Sequence, residues 1–275
     1  MREGMNCLRH PGMARYQTRG EILREYILQD LISGTEWSNL GRILLYTGRG
    51  DQLVEFFQEI AATSLVGRLV RAGVDIAEQY DISGPEFKRL YRDFISETLL
   101  LPKHLGVDIV RLATEATRAT LGDATAKQRQ QFRRTAQSGS EKCYLCGVRL
   151  TFDNDHHHSA YTLDHVWPRS YGGDSELENF LSCCKDCNNS KKQNYASWAM
   201  PSIQAVIHPV GVSNERINEI EGSYKFALHH LSAWRITQRK NISLKLAFQT
   251  LGPWKPLSAQ DKSNVTDFFN IGPAD

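Results

Sequence analysis

The stretch that decides how this chain is read runs C-Y-L-C (143–146), L-D-H-V-W-P-R-S-Y-G-G (163–173), E-N-F-L (178–181) and C-K-D-C-N-N-S-K-K (184–192). Its two Cys-x2-Cys pairs, Cys143/Cys146 and Cys184/Cys187, offer four thiolates at the spacing that closes a tetrahedral Zn²⁺ site. A site closed in this way has no open coordination position, so it holds structure instead of doing chemistry. The residues between the pairs, Asp164, His165 and Asn179, together with Asn188 directly after the second pair, are then candidates for a second, catalytic metal site.

The segment closely resembles the HNH endonuclease family, over about residues 139–198. The resemblance implies a ββα-metal (His-Me finger) module: a hairpin whose first strand ends at the Asp164-His165 pair, a loop carrying Asn179, and a helix supplying the last metal ligand. It also implies metal-dependent hydrolysis of DNA to 3′-hydroxyl and 5′-phosphate ends. In the family, the position after the last cysteine pair is a His or Asn that ligates the catalytic ion. Here it is Asn188, the HNN variant. Asn179 matches the central Asn, whose family role is to hydrogen-bond loop backbone and keep the strands in register around His165. Lys191 stands where the family has a lysine, and with Lys192 it is expected to meet phosphate.

The chemistry can also be argued from the residues. Phosphodiester hydrolysis needs an activated water, charge stabilisation at phosphorus and help for the departing oxygen; an imidazole and one hard divalent ion supply all three. A neutral imidazole takes a proton at physiological pH, which makes His165 the expected base. On an extended strand Asp164 points to the opposite side and is free to bind metal. An Asp carboxylate and an Asn carbonyl form a hard oxygen set suited to Mg²⁺ or Mn²⁺ more than to Zn²⁺. Asn189 is the alternative to Asn188, but a helix turns about 100° per residue, so only one of them faces the site. His156, His157 and His158 lie in a polar insertion and read as a solvated loop tip.

The chain's 33 basic and 31 acidic residues leave a formal charge of only +2, so any field that attracts DNA must be local. The catalytic segment itself carries 6 basic against 8 acidic residues. The flanking basic stretches at 127–134, with Arg133 and Arg134, and at 235–245 are the expected phosphate contacts. No apolar run is long enough for a membrane span and the first residues lack a signal-peptide core. A cytoplasmic location is therefore expected, where reduced cysteine pairs favour zinc over disulfides. Cys7 and Cys183 are left as free thiols.

The expected fold class is mainly α with the embedded ββα-metal module, divided as a helical accessory domain (1–138), the nuclease module (139–198) and a C-terminal helical extension (199–275). Apolar residues return every three or four positions in Ile22, Leu23, Tyr26, Ile27 and Leu31, and again from Leu53 to Val70 with a break near Ser64–Gly67. Ser83-Gly84-Pro85-Glu86 reads as a helix start, Val107–Leu121 as a helix, and Ala136–Ser140 as a polar linker. Residues 214–239 read as helical, with Ile217, Ile220, Tyr224, Leu228, Leu231 and Trp234 as the stripe. HNH proteins with helical extensions resemble effector subunits of bacterial anti-phage systems held in check by an ATPase or sensor partner. The competing expectation is a zinc-stabilised nucleic-acid-binding or assembly module without catalysis; replacing His165 separates the two.

Overall fold

A computed structural model of the chain describes residues 15–32, 50–99, 103–194, 226, 229–254, 257–259 and 271–273; Cys7, Ile217, Ile220, Tyr224 and Leu228 lie outside them. The architecture is mainly α, with a small ββα unit set among the helices.

The first helix, α1 (Arg19–Tyr26), starts in a capping box: Glu21 N donates to Thr18 Oγ1 (3.2 Å) and Thr18 N to the Glu21 carboxylate (2.8 Å). The box is buried because this helix end docks on the loop after the first strand, where Gly20 N donates to Gly172 O at 2.9 Å. A Cβ on Gly20 would lie 1.9 Å from Tyr171 O, so only glycine permits the approach. A π-helical turn (Ile27–Ile32) continues α1.

Helix α2 (Gly50–Ala77) runs 28 residues without the break expected near Ser64–Gly67. Gly67 serves packing instead, since a Cβ there would meet the Tyr171 ring at 2.6 Å. Helix α3 (Pro85–Leu99) begins at its proline, and α4 (Lys103–Leu121) starts four residues before the expected Val107. Leu23, Ile27, Val66, Leu69, Tyr91, Ile109, Ala113 and Ala116 form the core where these helices meet.

The polar stretch Ala136–Ser140 is not a linker. Helix α5 (Ala126–Ser138) extends through it, Ala136 is buried, and the N–H groups of Gly139, Ser140 and Glu141 all turn back onto carbonyls of the last turn. The polar residues there form the solvent side of a helix end, which composition alone does not separate from a loop.

Strand β1 (Tyr161–His165) pairs antiparallel with β2 (Phe180–Cys184), placing His165 opposite Phe180 and Asp164 opposite Leu181; α6 (Lys185–Asn194) follows β2 directly. Helix α7 (residues 229–240), α8 (Leu244–Leu251) and a hairpin of β3 (Leu257–Ala259) with β4 (Ile271–Pro273) complete the described elements. A buried Arg24–Glu59 ion pair, with the guanidinium 4.1 Å over the Trp234 ring, ties α1, α2 and α7 together. One cluster of buried apolar side chains runs through the helices and the ββα unit alike. Among the described residues no helix is long and apolar enough to cross a membrane.

Candidate active site and zinc centre

The thiols of Cys143, Cys146, Cys184 and Cys187 all lie within 4.8 Å of one another. The first pair sits in a tight knuckle, with Gly147 N donating to Cys143 O at 2.9 Å and Gly147 in the left-handed region at φ 74°. The second pair joins the end of β2 to the first turn of α6. Cys146 Sγ and Cys184 Sγ are 3.8 Å apart, close to the edge of about 3.8 Å that a tetrahedron with Zn–S bonds of about 2.3 Å requires. Hydrogen bonds from Cys183, Cys184 and Cys187 hold Cys143 far below the usual thiol range, and burial pushes Cys146 up to about 12. Cys183, fully buried, lies 3.7 Å from Cys143 Sγ.

Strand alternation sends Asp164 to the α6 side of the hairpin, only 6 % exposed, and leaves His165 half-buried on the other side. Cys184, Cys187, Asn188 and Lys191 form the inward stripe at the start of α6, while Asn189 is exposed. Asn188 Nδ2 donates to Thr162 Oγ1 (3.0 Å), which in turn donates to Cys183 O (3.0 Å). Its Oδ1 is buried and has no hydrogen-bond partner, the kind of orphan acceptor that a native interior seldom leaves without a cation or water. On the same face, the Asp164 bonds from Lys191 Nζ (2.6 Å) and Tyr144 OH (2.7 Å) both end on Oδ2. Among the described residues, then, one carboxylate oxygen and one amide oxygen on this face are unengaged. This donor set fits a hard divalent cation.

Lys191 is corrected from phosphate contact to buried clamp. It is 1 % exposed, and besides Asp164 its ammonium donates to His165 O (2.6 Å), Val166 O (3.0 Å) and Tyr144 OH (3.2 Å). A buried ammonium is tolerable only when paired and fully hydrogen-bonded, and these partners leave it facing the interior. Arg133 stays partly open to solvent, its side chain 38 % exposed, while donating to Phe152 O and pairing with Asp155 at 3.4 Å. Arg134 is exposed with no ion pair among the described residues, and the Lys192 side chain lies outside them. His156, His157 and His158 are exposed on the loop before β1.

The His165 ring packs against Phe180 at 4.5 Å, and its Nε2 is 3.2 Å from Ser175 Oγ, which also reaches Gly122 O at 3.4 Å. Burial, then the positive charges of Lys191, Arg169 and Arg129 outweighing Asp123, lowers its pKa to about 4. Asn179 closes the loop between the strands. Its Oδ1 accepts from Trp167 N (2.8 Å), and its Nδ2 donates to Trp167 O (3.0 Å) and Asp174 O (2.8 Å). Gly172 turns this loop at φ 83°, and a Cβ on Gly173 would fall 2.0 Å from Trp167 O. Replacing Asn179, 2 % exposed, by alanine strands three backbone groups and is expected to cost about 2–3 kcal/mol. Urea unfolding at an unchanged m-value checks this, and a loss below about 0.5 kcal/mol would refute the bracing.

Residues 143–199 match the family model of the HNH endonucleases. The segment is an HNH endonuclease domain. No curated protein and no solved structure matches the chain. The HNH domain does not stand apart from the flanking helices. Thr120 O accepts from Arg169 Nη2 (2.9 Å), Arg169 Nη1 pairs with Asp123 (3.1 Å), and Tyr16 OH donates to Asp174. Sequence reading missed Tyr144, Ser175, Arg169 and Asp123, while Arg129 lies in the basic stretch 127–134 expected to meet phosphate. Only Tyr144 and Arg169 fall inside the quoted motifs, where Tyr144 reads as an apolar filler between cysteines and Arg169 as a loop charge. A cleft of ≈ 740 Å³ between α1, α4 and α7 is lined by ion-paired Arg15, Glu25, Arg19 and Glu115 and contains none of these site residues.

Proposed function

We propose that the chain is a metal-dependent endonuclease that hydrolyses DNA phosphodiesters, with His165 as general base and Asp164 and Asn188 as ligands of Mg²⁺ or Mn²⁺. The observation that carries this is the division of β1 into two faces: Asp164 and the orphan Asn188 oxygen on one, His165 on the other. A divalent ion held there supplies charge stabilisation at the phosphate and the departing oxygen. The protein supplies the rest. With the Ser175 hydroxyl proton directed to Gly122 O, Nε2 of His165 carries its proton toward Ser175 and Nδ1 presents its lone pair to the attacking water. Asn179 holds the loop from Trp167 to Asp174 against the strand ends, as a positioning residue.

The four clustered thiols support structural zinc and a reducing, cytoplasmic compartment. We keep residues 139–198 as the catalytic module and 1–138 and 199–275 as its helical flanks. An effector role in anti-phage defence, under an ATPase or sensor partner, is supported by the presence of those helical flanks.

One observation favours a second reading. The Lys191 ammonium already neutralises Asp164, as it would in a zinc-stapled binding module with no catalytic ion. Conversion of supercoiled plasmid to nicked circles in Mg²⁺ or Mn²⁺ decides between them, since only the nuclease cuts.

The pH profile gives an independent check. At pH 5.5 an imidazole of ordinary pKa, about 6.5, would be only about one-tenth neutral. His165, lowered to about 4 chiefly by burial, stays in the neutral form that accepts a proton. Single-turnover nicking at pH 5.5 is therefore expected within a few-fold of the neutral rate, and a tenfold fall would contradict it.

A further inference from the structure

We infer that Arg129 and Arg169, bridged by Asp123 beside His165, form a cradle for the DNA phosphates next to the scissile one; the inference rests on the nuclease reading of the site. The bridge uses both carboxylate oxygens, with Arg169 Nη1 on Oδ2 at 3.1 Å and Arg129 Nη2 on Oδ1. Each guanidinium is also fastened to backbone, Arg169 Nη2 to Thr120 O (2.9 Å) and Arg129 Nε to Ala124 O (3.2 Å). The chain itself brings this group to the base. Asp123 follows Gly122, whose carbonyl receives the Ser175 hydroxyl that contacts His165, and Arg169 lies four residues beyond His165.

Two guanidiniums against one carboxylate leave a net positive charge at the mouth of a segment that is otherwise net negative. Both arginines stay partly open to solvent, with side chains 34 % and 50 % exposed for Arg169 and Arg129. Among the described residues Arg129 Nη1 has no hydrogen bond, so donors remain for phosphate oxygens. A fixed fork binds an anion with less ordering cost than a free side chain. This sets the pair apart from Arg134, which is exposed but unheld.

The test is the salt dependence of binding to a short DNA duplex in Ca²⁺, with Arg89→Gln as control; Arg89 is exposed on α3 and, among the described residues, pairs with Glu86 and Asp93. Arg129→Gln and Arg169→Gln are each expected to weaken binding alike across duplex sequences. Each should also lower the slope of log K against log salt by about 1. Arg169→Gln also frees Thr120 O, so zinc content and melting accompany it, and Arg129→Gln carries the decision if that loop loosens. An Arg129→Gln slope equal to that of Arg89→Gln overturns the cradle, as does a wild-type chain that does not bind duplex. A wild-type chain that binds with the full slope and never nicks, while Arg129→Gln loses slope, leaves the cradle standing and removes the nuclease reading.

Discussion

Replacing His165 by alanine is expected to reduce plasmid nicking by about 10²–10⁴-fold, the range that a positioned general base contributes, while zinc content and duplex affinity hold. The reasoning is positional. His165 is the only imidazole on the outer face of β1, it sits on the Phe180 ring at 4.5 Å, and its Nε2 is already engaged by Ser175. Its other nitrogen is thus aimed by two contacts before substrate arrives. The truncation is benign for folding by comparison with its effect on rate, because the ring is half-buried and its one side-chain hydrogen bond is to a hydroxyl that keeps Gly122 O as partner. Nicking of supercoiled plasmid by the wild-type and variant proteins at equal zinc occupancy checks this. Equal rates would remove His165 from the chemistry, and absence of nicking in both would favour the binding-module reading.

The second large effect concerns the cysteines. Cys187→Ser, or a strong chelator, is expected to melt the HNH domain, since a structural zinc site contributes an apparent 10–16 kcal/mol or about that to folding. The loss reaches further than the metal knuckle. Cys187 precedes Asn188 and shares a helical face with Lys191, so freeing the start of α6 releases the Asp164–Lys191 pair and the carbonyls of His165 and Val166 that the ammonium gathers. Because Cys143, Cys184 and Cys187 belong to the same buried cluster as Val166 and Trp167, the melting temperature of the whole chain should fall with zinc release. Stoichiometric zinc release with no change in the melting curve would contradict a folding role for the ion.

The parts legible in the sequence were those fixed by short spacing. Two residues between cysteines, and a helix turning from Cys184 to Asn188, place the four thiols and Asn188 by local geometry alone. Period-two alternation likewise separates Asp164 from His165. The unread parts depend on distance along the chain. Tyr144 reaches Asp164 across 20 residues and Thr120 reaches Arg169 across 49, and no periodicity announces either pairing. Lys191 was misplaced because a lysine near a phosphodiesterase motif suggests phosphate, whereas the helical stripe it shares with Cys187 and Asn188 points it inward. Composition misled at Ala136–Ser140 for a related reason: small and polar residues suit a loop and the wet side of a helix end equally well.

The close docking of α1 on the loop at Gly172 limits how this HNH segment can be inherited. A ββα motif sealed by its own zinc is in principle a portable part, free to be transplanted between architectures. Here the Gly20 N–H that meets Gly172 and the Gly122 carbonyl behind Ser175 both come from outside the motif. A lineage that moved residues 139–198 alone would carry the cysteine knuckle and leave behind the surfaces that hold the His165 loop, so the helices and the motif are bound to diverge together.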